Sequence, residues 1–132
     1  MLVNNLFGTS GVRGLIGKEI DEDFSFKLGL ALGKYLGAGR ALVAYDPRPG
    51  AKAISESLIR GLRKAKIAVQ NCGILATPEL TWYQVKEGYD LGVCVTGSHL
   101  PWNMIGIIPT LSDGAGVDSK VGSRISKIFY AL

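Results

Sequence analysis

The chain has 132 residues, 47% of them apolar and 20% charged, with a net charge of +4, one histidine and two cysteines. That composition supplies one compact core and leaves little room for a second domain. No apolar run approaches the ~20 residues of a membrane span, and the opening MLVNNLFGTSG lacks the basic start and long apolar segment of a secretion signal, so the expectation is a cytoplasmic protein with no membrane partner.

Leu6 to Ile16 reads as an extended run interrupted by a glycine-rich loop. From Asp21 a helical pattern begins, with Phe24, Leu28, Ala31, Leu32, Tyr35 and Leu36 on one face. Acidic residues at 21 to 23 suit the positive end of its dipole, and Gly37-Ala38-Gly39 ends it. Ala41 to Tyr45 is a short apolar strand, stopped by Asp46-Pro47-Arg48-Pro49-Gly50. Ile54, Leu58, Leu62 and Ala65 give a second helix, and Ile67 to Val69 the next strand. Thr77-Pro78 reads as a cap with proline at the first position of a third helix running to about Lys86. Leu91 to Val95 is a strand and Ile105 to Ile108 fits a further one. Asp118 opens a last helix with Val121, Ile125, Ile128, Phe129 and Leu132 on one face.

Strands thus alternate with helices. That predicts an α/β fold, a three-layer α/β/α sandwich around a mixed, mainly parallel sheet of about four strands. Near-continuous apolar strands suit a sheet covered on both faces. Cys72 and Cys94 lie in strand-like runs and read as core residues in a reducing compartment. Arg60, Arg63, Lys64 and Lys66 cluster on the second helix and its end. No aromatic residues interleave with them, so they read as a solvated face and no nucleic-acid partner is expected.

In open α/β sheets ligands sit beyond the carboxyl ends of the strands, which draws attention to three polar clusters. Gly8 to Gly14 offers converging backbone N–H groups, the hydroxyls of Thr9 and Ser10, and Arg13, a guanidinium suited to phosphate. It fits neither the Walker nor the dinucleotide pattern, and a plain glycine-rich turn accounts for it equally well. Asp46 and Arg48 flank a proline, as an ordinary salt bridge or as a pair that orients a site group. Thr96-Gly97-Ser98-His99 places a serine and the only histidine where a strand ends. A loop serine can act as nucleophile or carry a phosphoryl group, whereas adjacent residues rarely form a triad and no G-x-S-x-G elbow is present.

Taken together, LFGTSGVRG at 6 to 14, AYDPRP at 44 to 49 and TGSHLP at 96 to 101 resemble the α-D-phosphohexomutases, the phosphoglucomutase/phosphomannomutase superfamily, in its first domain. The resemblance covers almost the whole chain. It implies a cytoplasmic isomerase of carbohydrate metabolism that moves a phosphoryl group between the 1- and 6-hydroxyls of a hexose phosphate. In that family a T-A-S-H-N-P loop carries a phosphoserine, matched here by Ser98, with His99 beside it. Ser10, Arg13, Asp46, Arg48, Thr96 and Gly97 match positions expected to bind phosphate or substrate. Magnesium is implied as cofactor, held by the phosphoserine, hence by Ser98, and by three aspartates of a D-G-D-x-D-R loop in the second domain.

The match fails in two places. The family loop continues N-P-x-x-x-N-G-x-K, but here its two asparagines fall at Leu100 and Ile105, and the lysine thought to act as acid/base falls at Ile108. Asp113-Gly114 begins like the metal loop but reads D-G-A-G-V-D. Residues 1–132 are therefore expected to be a single first-domain-like unit without the family's remaining domains, inactive as this chain alone. The alternative is a freestanding, non-catalytic relative that binds a phosphosugar or other anion, or pairs with a mutase, another protein or itself. Trp102, Met104, Ile105, Ile107 and Ile108 fit either an exposed interface or a buried edge strand.

Overall fold

A computed structural model describes residues 5–8 and 10–132. Nine elements follow one another: β1 (Val12–Leu15), α1 (Glu22–Leu36), β2 (Arg40–Tyr45), α2 (Ala51–Lys64), β3 (Ala68–Ile74), α3 (Thr77–Glu87), β4 (Leu91–Thr96), β5 (Met104–Leu111) and α4 (Ser119–Tyr130). The Asp21 carboxylate caps α1 by accepting the Phe24 N–H at 2.8 Å, and Asp118 caps α4 through the Val121 N–H at 2.8 Å. The third helix departs from expectation at its start. Ala76 is its N-cap, with no side-chain capping bond, and Thr77 is already inside the helix.

The sheet is α/β and mixed, as expected, with five strands in the order β1-β5-β4-β2-β3. β2 pairs in parallel with β3 and β4, while β5 runs antiparallel to both β4 and β1. The expectation was about four strands, and the sheet has five. The extra strand comes from β1, a four-residue edge strand directly following a glycine turn. Glycine-rich runs carry little strand propensity, so β1 forms because β5 offers it a ladder.

Alternation along the strands divides the core. Ala41, Val43, Leu91, Val93, Val95, Ile105 and Ile107 join Leu28, Leu32, Ile54, Leu58, Leu62 and Ile125 on the α1/α2/α4 face. Leu42, Ala44 and Cys94 face the other way, against Leu80 of α3. Helices α1 and α2 approach closely because each presents a glycine to the other. A Cβ at Gly29 would run into the Leu58 carbonyl, and one at Gly61 into that of Phe26. The β5 stretch is therefore a buried strand, with Ile105 and Ile107 fully enclosed and Met104 and Ile108 half-buried on the α3 side. Trp102, just before it, is exposed.

β3 runs Ala68–Ile74 rather than Ile67 to Val69, continuing through a shift in its register against β2 between Val43 and Ala44. Asn71 pairs with Val43 and Gly73 with Ala44, so Cys72 opposes no residue. Gly73 takes φ +68° there, a backbone conformation that favours glycine. Cys94 is buried, but Cys72 in this bulge is only half-buried. No described helix is long and apolar enough to cross a membrane.

Candidate active site

β2 and β4 run in parallel and end together. The Asp46 N–H continues the ladder by donating to the Val95 carbonyl at 3.0 Å, which holds Asp46 beside Thr96. Asp46 Oδ2 accepts from the Thr96 hydroxyl at 3.0 Å and from the Gly97 N–H at 2.9 Å. The Thr96 hydroxyl in turn accepts the Ser98 N–H at 3.0 Å. A carboxylate at the end of one strand thus sets the turn at the end of the next, through charge-assisted bonds.

Ser98 is exposed and left-handed, at φ +50°. A non-glycine residue there costs about 1–2 kcal/mol, so neighbouring bonds must hold it. Its Oγ lies 3.4 Å from His99 Nδ1, at the loose limit of a hydrogen bond. His99 is exposed as well.

Arg48 does not face solvent. It is only 9% exposed, and its fork is spent on the loop that carries Ser98. Nη1 donates to the carbonyls of Leu100 (3.2 Å), Pro101 (2.8 Å) and Met104 (2.8 Å), and Nη2 to that of Ser98 (3.1 Å). Nε lies 3.3 Å from Asp46 Oδ2 as a charge pair without hydrogen-bond alignment. The guanidinium sits 5.3 Å from the centre of the Trp102 ring. Its Nη donors are already engaged, so an arriving phosphate would have to displace carbonyls to use them.

A cleft of about 520 Å³ opens beside Ser98, walled by Asp46, Pro47, Thr77, Cys94 and Thr96. Burial pushes the Cys94 thiol above the usual range; a bond with Thr77 opposes this and the Asp46 charge adds to it. Thr77 and Cys94 were not among the expected site residues. The signal was available, because the segment from Leu75 to Pro78 also follows a parallel strand, β3.

The Gly8–Gly11 turn precedes β1, and Thr9 falls outside the described residues. Ser10 and Arg13 line a separate hollow of about 270 Å³. Arg13 nevertheless sits on β1 opposite Gly106, which itself opposes Thr96. Arg13, Gly106 and Thr96 therefore form one cross-strand row, spanning about 10 Å over two strand spacings. The middle position carries no side chain, so the exposed guanidinium can swing toward the Ser98 loop.

Among the described residues no three carboxylate, imidazole or thiol groups converge on a metal position. Asp46 has its oxygens committed to Thr96, Gly97 and Arg48. The described donors do not make up a magnesium site. Asp113 accepts the Ala115 N–H in a turn and Asp118 caps α4, so D-G-A-G-V-D serves the backbone.

Residues 4–132 match the model of the family described as phosphoglucomutase/phosphomannomutase, alpha/beta/alpha domain I. The chain is 40% identical over 122 residues to a protein of Methanococcoides burtonii named "Probable phosphoglucosamine mutase", covering 92% of this chain and 27% of that one. It is 35% identical over 137 residues to the phosphoglucosamine mutase of Koribacter versatilis, covering 98% and 29%. A crystal structure of a Thermus thermophilus protein named "putative phosphomannomutase" superposes with a TM-score of 0.87 at 26% identity, over 96% of this chain and 30% of that one. The chain therefore spans under a third of the length of these relatives.

Proposed function

Since the chain belongs to the phosphoglucomutase/phosphomannomutase family through its α/β/α domain I, we propose that it is the phosphoryl-carrying domain of a hexose-phosphate mutase, with Ser98 as the carrier. One observation carries this reading: Ser98 is held left-handed and exposed at the carboxyl end of β4, with its hydroxyl free to face a cleft. The relatives' names favour a glucosamine phosphate among the hexose phosphates.

In the forward half-reaction a sugar hydroxyl attacks the phosphorus of phospho-Ser98. The P–Oγ bond breaks, its electron pair stays on Ser98 Oγ, and the proton released by the sugar hydroxyl goes to a base while Oγ takes one up. The return half-reaction rephosphorylates Oγ from the other end of the sugar bisphosphate. Arg13, in one cross-strand row with Thr96, would be the cation to meet phosphoryl oxygens, and His99 stands beside Oγ. The position matching the family's lysine is Ile108, which moves no proton. Magnesium would neutralise phosphoryl charge in such a transfer. Its remaining ligands are not among the described residues. Sugar-binding groups and a proton-transfer base are left to a partner domain, and two free cysteines suit the cytoplasm.

Incubation with glucose 1,6-bisphosphate, read by intact mass and peptide mapping, should add one phosphoryl group at Ser98 and none in Ser98→Ala. Mutase turnover by this chain alone should stay at background. A chain that never takes the phosphoryl group would remove the carrier reading.

A second reading is favoured by Ile105 and Ile108: a non-catalytic relative that binds a phosphosugar or pairs with a mutase. Ile105 is sealed in the core, so no polar group from that position reaches the cleft. Phosphosugar binding with no labelling of Ser98 would select it.

A further inference from the structure

We propose that Arg48 is a positioning residue that fixes the Ser98 loop, rather than a phosphate ligand. Ser98 has a costly backbone conformation and no buried side chain to anchor it. The loop around it turns the carbonyls of Ser98, Leu100, Pro101 and Met104 toward one part-buried point. One planar guanidinium meets all four. The guanidinium is closely packed: any Cβ at Gly97 would fall on it, and the Trp102 ring lies near it. Asp46 supplies the compensating charge without leaving the same cluster.

An ammonium cannot reproduce this arrangement. Lysine presents its donors from a single point, whereas arginine spreads five over a rigid fork. The loop is therefore set by the domain itself, before any phosphate arrives. The importance of this for phosphoryl transfer rests on the carrier reading of Ser98 given above, but the positioning claim is tested separately.

The test uses the full chain in a Trp82→Phe background, so that Trp102 is the sole indole. The readouts are its emission and the amide NMR signals of Ser98 and His99. Arg48→Lys should shift both amide signals and change Trp102 emission, while far-UV circular dichroism and the signals of Leu28 and Leu58 stay put. Arg48→Ala should show the same displacement, and added methylguanidinium should return the Ser98 signal toward wild type, which added methylammonium should not. Wild-type signals in Arg48→Lys would overturn the proposal. So would global unfolding of Arg48→Lys, since Arg48 would then hold the domain rather than the loop. Phosphoryl labelling at Ser98 is scored in parallel. If wild type takes no label, the carrier reading fails while the loop measurement still decides the role of Arg48.

Discussion

Gly97 lies flat against the guanidinium of Arg48, with no room for even a methyl group between them. Gly97→Ala should therefore push Arg48 off its carbonyl partners, at about 1–3 kcal/mol, the usual range for overpacking a close contact. Urea unfolding measures this. A variant with the wild-type midpoint would mean that the contact yields without cost.

Arg13→Ala should weaken sulfate binding by roughly fivefold, about 1 kcal/mol, the scale of one charge-assisted bond at an exposed site. The wild-type affinity should itself fall as ionic strength rises toward about 0.15 M. Gly106→Val should have a similar effect with the guanidinium intact. A Cβ there stands 3.5 Å from Arg13 Cγ and 3.2 Å from the Thr96 carbonyl oxygen, and a larger side chain would fill the gap. NMR titration of the amides near Thr96 checks both. Unchanged sulfate affinity in Arg13→Ala would count against an anion site in that row.

Gln84 is fully buried, and its amide donates to the carbonyls of Thr110 and Leu111 while accepting the Thr110 hydroxyl. Gln84→Ala removes these bonds, leaving the Leu111 carbonyl with the Gly114 N–H and the Thr110 hydroxyl with only a 3.4 Å contact to the Gly92 carbonyl, and should cost about 1–3 kcal/mol or somewhat more once the lost volume is included. Thr110→Val combined with it should cost less than the sum of the two. Additive urea midpoints would contradict the coupling.

Cys94 gives a pH signature. Its thiol is raised by burial and by Asp46, so the unfolded chain loses its proton at lower pH than the folded one. Stability from this group is fully present below the unfolded value and declines as pH rises through the folded one. Chemical denaturation across the alkaline range should show that decline, and Cys94→Ala should flatten it. Iodoacetamide should modify half-buried Cys72 well before Cys94. Equal labelling rates would oppose the burial argument.

The helices were legible because their apolar spacing is local. Asp21 and Asp118 cap α1 and α4 as their positions suggest. The strand at 105 to 108 was visible as an apolar run, but its place between β1 and β4 was not, since nothing local marks an antiparallel partner at the far end of the chain. Ser98, Asp46 and Thr96 were legible as polar residues at strand ends, and they do meet. The placement of Arg48 was not legible. Asp46-Pro47-Arg48 suggests a pair, but the four carbonyls it serves belong to backbone, which has no signature in side-chain identity. The Gly8–Gly14 segment was legible as a glycine-rich turn but not as one that precedes a strand, because glycine turns look alike on either side of one.

The bulge in β3 bears on how copies of this domain meet one another at high concentration. An outermost strand with straight, regularly spaced donors and acceptors is a template on which another chain can add. Here the rail is broken at Cys72, where the pairing slips by one residue, an irregularity of the kind that bends a strand. The intruding strand of a second molecule would lose register after a few residues. The same irregularity that exposes a thiol at the rim therefore protects the domain against growing edge to edge into ribbons.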